Sequence, residues 1–281
     1  MERFFIVTND GKDIGQRVTE GIIAILTSWG KTCIRCLKDE NKRIIMDSIP
    51  EDFDCAIVIG GDGTLIEVSR ALHGRNIPIL GINMGTLGYL AEVEVSHIEE
   101  ALKRLLSGEY AVEDRMMLEG VLCSVSGPLV RDVALNDIVV ARRESLRLIH
   151  FKLYVNGELL NSYEADGMII STPTGSTAYN LSAGGPIVEP TASLIVITPI
   201  CSHALNTSSI VLSAEDELVL EIGEGKQHTV EEACIAFDGA DTMTMVTGDT
   251  VTVRRAAAFA KIIKLSRVSF LETLRRKMKG N

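Results

Sequence analysis

An apolar run from Cys55 to Ile59 stops abruptly at the glycine loop Gly60-Gly61-Asp62-Gly63-Thr64, and this junction constrains the fold more than any other segment. The next apolar positions have helical spacing: Leu65, Val68 and Leu72. The segment therefore predicts a buried strand, a tight turn and a helix. Glycines at such a turn let backbone N–H groups approach a phosphate at the helix N-terminus. A tight turn that merely caps the helix is the alternative interpretation.

Two further segments place a strand before a helix or a glycine loop. The run Phe4–Val7 precedes apolar residues at helical spacing, and the run Ile77–Ile82 ends in Asn83-Met84-Gly85-Thr86-Leu87-Gly88. Alternating strands and helices predict an α/β domain with a parallel, Rossmann-like sheet over residues 1–110. Such sheets bind ligands at the carboxyl ends of their strands, where both glycine loops fall. A capping box beginning at Ser96 predicts the last helix of this domain, through Leu106.

Residues 111–266 show a different pattern of short, alternating or β-branched runs, which predicts a mostly β, sandwich-like domain. The strongest hairpin signal is Asn156-Gly157, because both residues tolerate the positive φ of a type I′ turn. The runs are Leu118–Val125, Ala134–Val140, Leu148–Val155, Leu194–Ile197, Leu218–Ile222 and Thr250–Val253. Residues 267–281 predict a short basic helix, capped by Ser269, that returns to the first domain.

Composition limits the partners and the compartment of this 281-residue chain. A formal net charge of −10 opposes binding to nucleic acid or anionic lipid, so we expect neither a nucleic acid nor a membrane partner. No apolar segment is long enough to span a membrane, and we expect a cytoplasmic protein whose six cysteines are reduced thiols in the core. The only close cysteine pair, Cys33 and Cys36, lacks the second pair that a zinc site needs.

Asp62 carries the chemistry that the glycine loop suggests. Being an anion, it cannot hold phosphate, and it suits either binding of Mg²⁺ or accepting a proton from an attacking hydroxyl. Walker-type, dinucleotide-fold, zinc-protease and serine-hydrolase motifs are absent from the sequence. The interpretation that remains is a kinase-like glycine loop with a central carboxylate. Because the chain is acidic, the negative charge of any phosphate ligand has to be balanced locally by backbone N–H groups, a few arginines and a divalent cation.

A second dense motif runs from Asp166 to Pro186 and reads DGMIISTPTGSTAYNLSAGGP. A strand that leads into so many hydroxyl residues and glycines supplies short donors and acceptors along a polar ligand. A solvated, turn-rich loop is the alternative interpretation.

These two motifs, together with Asn136-Asp137, closely resemble the NAD kinase family over nearly the whole chain. The glycine-aspartate motif alone is shared with diacylglycerol and sphingosine kinases, whereas the second motif is far more specific. The resemblance implies an enzyme that phosphorylates the 2′-hydroxyl of the adenosine ribose of NAD, with ATP or polyphosphate as donor and Mg²⁺ as the expected metal. It also implies a homodimer or homotetramer.

The resemblance assigns roles residue by residue. It makes Asp62 the catalytic acidic residue, with Gly63 near the NAD diphosphate, and the phosphate-binding loop comprises Gly60, Gly61, Gly63 and Thr64. Asn136 and Asp137 match the pair that binds adenosine, and Asp166 matches an acidic residue near the nicotinamide ribose that can come from a neighbouring subunit. The remaining expected NAD contacts are Tyr89, Arg147, Thr174, Thr177, Ala178, Tyr179, Asn180, Leu181 and Ser182.

Two positions depart from the family pattern. Glu164 stands where relatives often carry a basic residue, and Ala240 replaces a polar contact residue after Phe237-Asp238-Gly239. They predict altered contacts on the nicotinamide side. Two other functions remain open from the sequence alone: a lipid kinase built on the same glycine loop, and a dinucleotide sensor that has lost catalysis.

Overall fold

The computed structural model describes residues 1–85, 88–125, 127–143, 148–203, 208–266 and 268–279. The chain divides into two compact units, one of residues 1–115 and 259–281 and one of residues 116–258. Within the described ranges, no helix has the length and apolarity of a membrane span.

The first unit is an α/β layer structure around one mostly parallel sheet. Its elements before the second unit are β1 (Arg3–Thr8), α1 (Arg17–Ser28), β2 (Thr32–Arg35), β3 (Cys55–Gly60), α2 (Asp62–Ala71), β4 (Pro78–Asn83), β5 (Val93–Glu94), α3 (Ile98–Ser107) and β6 (Ala111–Arg115).

The second unit contains twelve named strands and one short helix in its described residues. These are β7 (Leu118–Cys123), β8 (Val130–Ala134), β9 (Asp137–Arg142), β10 (Ile149–Val155), β11 (Glu158–Ala165), β12 (Gly167–Ser171), α4 (Tyr179–Ser182), β13 (Leu194–Ile200), β14 (Ile210–Ser213), β15 (Leu218–Ile222), β16 (Glu232–Phe237), β17 (Met243–Val246) and β18 (Thr250–Arg255). The chain then returns to the first unit with β19 (Ala260–Lys264) and α5 (Phe270–Met278).

The sheet of the first unit has the order β2-β1-β3-β4-β19-β6, and β5 pairs with β4. Strands β1 and β3 are almost wholly buried apolar runs, as expected for parallel strands covered by helices on both faces. Helix α1 buries Ile22 and Leu26 against this sheet, in the same core as Leu102 and Leu105 of α3. Because β3 and β4 are parallel neighbours, their carboxyl ends, where the two glycine loops begin, meet at one edge.

The second unit has two antiparallel sheets, ordered β11-β10-β15-β18-β7-β8 and β14-β13-β12-β9-β16-β17. Phe151 and Leu220 from the first of these sheets and Ile170 and Phe237 from the second belong to one buried cluster, which gives the unit the predicted sandwich-like core. The Asn156-Gly157 hairpin is confirmed: both residues have positive φ, and they join β10 to β11.

These features confirm the predicted fold class, but three local expectations were wrong. Strands β6 and β19, which the sequence pattern assigned to the β-rich domain, complete the sheet of the first unit, because β19 pairs in parallel with β4. Helix α3 has no side-chain cap, since the Ser96 hydroxyl contacts His97 Nδ1 instead. The six cysteines are free, but only Cys55 is buried.

Candidate active site

The glycine loop of the first unit is fixed by its neighbours at the sheet edge. Gly60 pairs with Asn83 across β3 and β4, and Met84 N donates to Gly60 O at 2.6 Å. Helix α2 begins immediately afterwards, so its first N–H groups face the same edge as the loop. A Cβ atom on Gly60 would lie 2.6 Å from Thr64 Oγ1, which explains why this position has no side chain.

Asp62 is held by three successive backbone N–H groups from the loop after β4. Its Oδ2 accepts from Tyr89 N at 2.7 Å, and its Oδ1 accepts from Leu90 N at 3.1 Å and Ala91 N at 3.2 Å. A Cβ atom on Gly88 would lie only 1.9 Å from Oδ1, so this approach requires glycine there. An ionised carboxylate has about four lone-pair sites, and three are used, which leaves one acceptor position on Oδ2.

Tyr89 contacts the C-terminal helix through its side chain. The ring lies 6.2 Å from the ring of Phe270, and Lys277 Nζ lies 4.4 Å from the Tyr89 ring centroid, within range of a cation–π interaction. Burial and the nearby charge of Asp62 raise the pKa of the Tyr89 hydroxyl, which therefore stays protonated. Ser269 caps helix α5, as the sequence predicted: its hydroxyl accepts from Glu272 N.

In the second unit, the segment Leu135–Asp137 is held from both sides. Asp238 accepts the N–H groups of Leu135, Asn136 and Asp137 at 2.7, 2.7 and 3.1 Å. On the opposite side, Thr172 Oγ1 donates to Leu135 O at 2.6 Å and Thr172 N donates to Asn136 O at 2.8 Å. The Asn136 side chain therefore projects from a rigidly held backbone.

Gly175 completes this arrangement by direct contact with Asn136. A Cβ atom on Gly175 would lie 2.1 Å from Asn136 O and 2.7 Å from Asn136 Cα. Only glycine allows the hydroxyl-rich loop after β12 to lie against the Asn136 backbone, and this contact brings the two sequence motifs together.

A cavity of about 370 Å³ opens beside these residues and is lined in part by Asn136, Asp137, Ala178, Tyr179, Asp238 and Gly239. Tyr179 is 45% exposed at this cavity, an unusual position for an aromatic side chain with no ring partner among the described residues. Thr174, which precedes Tyr179 in the hydroxyl-rich loop, is buried. Its Oγ1 has no hydrogen-bond partner in the part of the chain that the structure describes. Both features suit a bound ligand with an aromatic ring and hydroxyl groups.

Burial and then the charge of Asp238 raise the pKa of Asp137 to about 7. An unfolded aspartate releases its proton near its ordinary pKa of 3.8. Between these values the folded chain holds more protons than the unfolded chain, so the stability due to this group is lost as the pH rises.

We therefore expect the free energy of unfolding to decrease through this group as the pH rises from about 4 to about 7. Asp137→Asn, which cannot ionise, should flatten that part of the profile in urea unfolding measured at several pH values. Glu158→Gln, at the exposed start of β11 in the same unit, is the control and should keep the wild-type profile. An unchanged slope in Asp137→Asn would contradict the assignment.

Asn180 lies in the interior of the hydroxyl-rich loop. It is fully buried, its Nδ2 donates to Ser176 O and Pro186 O, and its Oδ1 accepts from Thr198 Oγ1. These bonds hold the loop in shape. Of the other residues expected along this loop, Thr177 and Ala178 are half-buried, whereas Leu181 and Ser182 are exposed.

Asp166 lies at the opposite end of β12 from Asn136 and Asp137, close to Ala141, which pairs with Gly167 and also lines the cavity. Asp137 pairs with Ser171 at one end of the strand, and Asp166 precedes Gly167 at the other, which separates them by roughly 16 Å. The Asp166 carboxylate pairs with Arg142 at 2.9 Å, and Arg143 pairs with Glu232. Both arginines thus have carboxylate partners. Arg147 lies outside the described residues.

Glu164 pairs with a histidine that lies between two carboxylates. His150 Nε2 lies 3.1 Å from Glu164 Oε1, and its Nδ1 lies 2.7 Å from Glu231 Oε1. Burial lowers the pKa of His150, but the hydrogen bonds and charges of both glutamates outweigh it, so the pKa is raised above the ordinary value of 6.5. The family departure at Glu164 therefore comes with a partner that offsets its negative charge.

The sequence analysis missed the supporting residues of the site: Gly88, Gly175 and Asp238. The sequence gives no signal for Asp238, which lies between Phe237 and Gly239 and whose φ of 52° is seen only in the structure. No group of three or more His, Cys, Asp or Glu side chains suited to a metal ion occurs among the described residues.

Comparison with known proteins identifies both units. A family model described as ATP-NAD kinase N-terminal domain matches residues 15–110, and one described as ATP-NAD kinase C-terminal domain matches residues 135–265. An NAD kinase from Lachnospira eligens is 44% identical over 99% of this chain and all of its own length, and one from Agathobacter rectalis is 42% identical over 100% of this chain and 99% of its own.

Two solved structures share the fold. A yeast NADH kinase complexed with NADH has a TM-score of 0.88 at 23% identity and covers 100% of this chain and 88% of its own. An NAD kinase from Archaeoglobus fulgidus in complex with ATP has a TM-score of 0.77 at 26% identity and covers 94% of each chain.

Proposed function

Because this chain belongs to the NAD kinase family, we propose that it transfers the terminal phosphate of ATP to the 2′-hydroxyl on the adenosine ribose of NAD. NAD phosphorylation is the reaction of the family. The acceptor hydroxyl and the residue roles are our inference. The observation that carries it is the carboxylate of Asp62, fixed by three N–H groups with one acceptor position left on Oδ2.

Asp62 receives or orients the proton of the attacking hydroxyl through that Oδ2 position. The three N–H donors fix the orientation of the carboxylate before the substrate arrives, so little reorganisation is needed in the transition state. Phosphoryl transfer has a loose transition state, in which positioning and electrostatics provide most of the acceleration. The glycine loop and the first N–H groups of α2 bind phosphate oxygens.

The adenosine part of NAD binds in the cavity beside Asn136 and Asp137. Tyr179, which lines this cavity, covers the adenine ring. Asp137 faces this cavity and, with its pKa raised to about 7 by burial and Asp238, donates a hydrogen bond as a neutral acid below that pH.

The side chains of this protein fit a Mg²⁺ ion that is bound mainly by ATP and not by a set of protein ligands. Mg²⁺ in kinases is usually bound by substrate phosphates, waters and one or two carboxylates, and the described residues contain no larger metal-binding cluster. The one acceptor position left on Asp62 serves the hydroxyl proton, so the ATP phosphates and waters would hold the ion. When bound, the ion offsets the charge that develops on the transferred phosphate.

The direct test is NADP formation from NAD by the purified protein with Mg²⁺ and either ATP or inorganic polyphosphate as donor. We expect NADP with ATP, whereas the result with polyphosphate decides the donor range. Diacylglycerol is offered in parallel as acceptor. Phosphorylation of diacylglycerol but not NAD would identify a lipid kinase, and NAD binding without transfer from either donor would identify a sensor.

We also propose a cytoplasmic homo-oligomer in which Asp166 serves the site of a neighbouring subunit. Asp166 lies a strand length away from Asn136 and Asp137 of its own chain, which suits contact with a different part of a dinucleotide from the adenosine part. The pairing with Arg142 holds the carboxylate in place for this contact.

Mixing two inactive variants tests this arrangement. If Asp62 and Asp166 of one site come from different chains, a randomly assembled dimer of Asp62→Asn and Asp166→Asn chains should recover about a quarter of wild-type activity, because half the dimers are mixed and each has one intact site. The chains are co-expressed with different tags, and each variant alone is the control. A mixture no more active than the variants alone would place both residues in one chain.

A further inference from the structure

We propose that Lys12 binds the phosphate chain of ATP, a role that rests on the kinase reaction proposed above. The residue lies in the loop after β1, which neighbours β3 in the parallel sheet. Its Nζ lies 2.7 Å from where a Cβ atom on Gly61 would be and 3.9 Å from where one on Gly85 would be. The ammonium group therefore lies over both glycine turns of the first unit, at the start of α2.

The loop that carries Lys12 is anchored on both sides of this residue. Asn9 N donates to Ile59 O at 2.8 Å, and Asn9 Nδ2 donates to Thr64 Oγ1 at 3.1 Å, which ties the loop to β3 and α2. Lys12 N donates to Asn9 O at 2.9 Å. On its other side, the Asp13 carboxylate accepts from Val18 N and Thr19 N at the start of α1. The backbone of Lys12 is thus fixed, and only its side chain is free to follow a ligand.

The charge of Lys12 is not used by the protein itself. Neither an ion pair nor a hydrogen bond to its ammonium group occurs within the described residues, although the chain has a formal net charge of −10. Other lysines of the same unit are engaged: Lys38 donates to Thr8 O, and Lys264 pairs with Glu92. An uncommitted cation beside a phosphate-binding loop suits a polyphosphate anion, which arrives here next to the negative charge of Asp62.

Gly61 gives a structural reason for the same assignment. No backbone or side-chain atom other than those of Lys12 lies within 4 Å of a Cβ placed on Gly61. The absence of a side chain at this position therefore leaves room for the Lys12 ammonium group. Among the described residues other than the chain neighbours of Gly61, an alanine there would meet only the flexible end of this lysine.

The test compares Lys12→Met with wild type by calorimetric titration of MgATP and by steady-state kinetics. We expect the Kd and the KM for MgATP to rise about tenfold or more, as for loss of a charge-assisted hydrogen bond, and the Kd for NAD to stay within about twofold. Lys12→Arg should restore most of the MgATP affinity. Lys103→Met, which removes an exposed lysine of α3, is the matched control and should behave as wild type.

Gly61→Ala gives an independent measurement. Because it displaces the same ammonium group, its loss of MgATP affinity should not add to that of Lys12→Met in the double variant. Wild-type MgATP affinity in Lys12→Met, or a loss confined to NAD binding, would overturn the proposal. A wild-type protein that binds MgATP but makes no NADP would refute the proposed function, while the titration would still decide the role of Lys12.

Discussion

Replacing Asp62 with asparagine is expected to lower kcat by about three orders of magnitude, the usual contribution of a positioned general base. Asparagine keeps the shape of the side chain but removes the charge and replaces one acceptor oxygen with a donor. The Kd for NAD should change by less than about tenfold, because the lost interaction develops in the transition state. Single-turnover NADP formation and NAD titration measure the two quantities separately.

Asp54→Asn is the matched control for this variant. Asp54 also accepts backbone N–H groups of the first unit, from Glu2 and Arg3, and these bonds lower its pKa. Its replacement should reduce stability without reducing kcat. If Asp62→Asn kept more than about a tenth of wild-type turnover, Asp62 would be a structural clamp for residues 89–91 and not the catalytic group.

Replacing Gly175 with alanine should disable NAD binding. The new methyl group would overlap the Asn136 backbone, and relieving that overlap requires movement of the Leu135–Asp137 segment or of the loop after β12. We expect the KM for NAD to rise by about a hundredfold and the free energy of unfolding to fall by about 3 kcal/mol, the upper range for overpacking. NADP assays and urea unfolding give the two values.

Gly21→Ala is the corresponding control. This glycine lies in α1 with nothing within 4 Å of an added Cβ atom, so the same exchange should leave activity unchanged and raise stability slightly. A Gly175→Ala protein with wild-type stability and a wild-type KM for NAD would show that Asn136 does not need its present position.

The sequence predicted those parts of the fold that local pattern determines. Buried parallel strands such as β3 show as apolar runs, and the β10–β11 hairpin shows as Asn156-Gly157. The sequence did not predict features that depend on pairing with a segment distant in the chain. Strand β19 resembles the neighbouring β runs in sequence, and only its pairing with β4 assigns it to the first unit.

The same distinction, between features set by local sequence and features set by distant partners, applies to the residues of the candidate site. Asp62 and the hydroxyl-rich loop stand out because their residue types are unusual for ordinary turns. Asp238 does not, since its role depends on N–H groups of residues 135–137, roughly a hundred positions earlier in the chain. Gly88 and Gly175 likewise matter only because of what a Cβ atom would meet in space.

The length of strand β12 is fixed by its pairing with the strands on both sides. The strand is hydrogen-bonded along its whole extent to β9 on one side and β13 on the other, so a residue cannot be added or removed without breaking two ladders. Substitutions in the loop at one end leave the carboxylate at the other end where it was. The loop after β12 can therefore be redesigned without moving the Asp166–Arg142 ion pair.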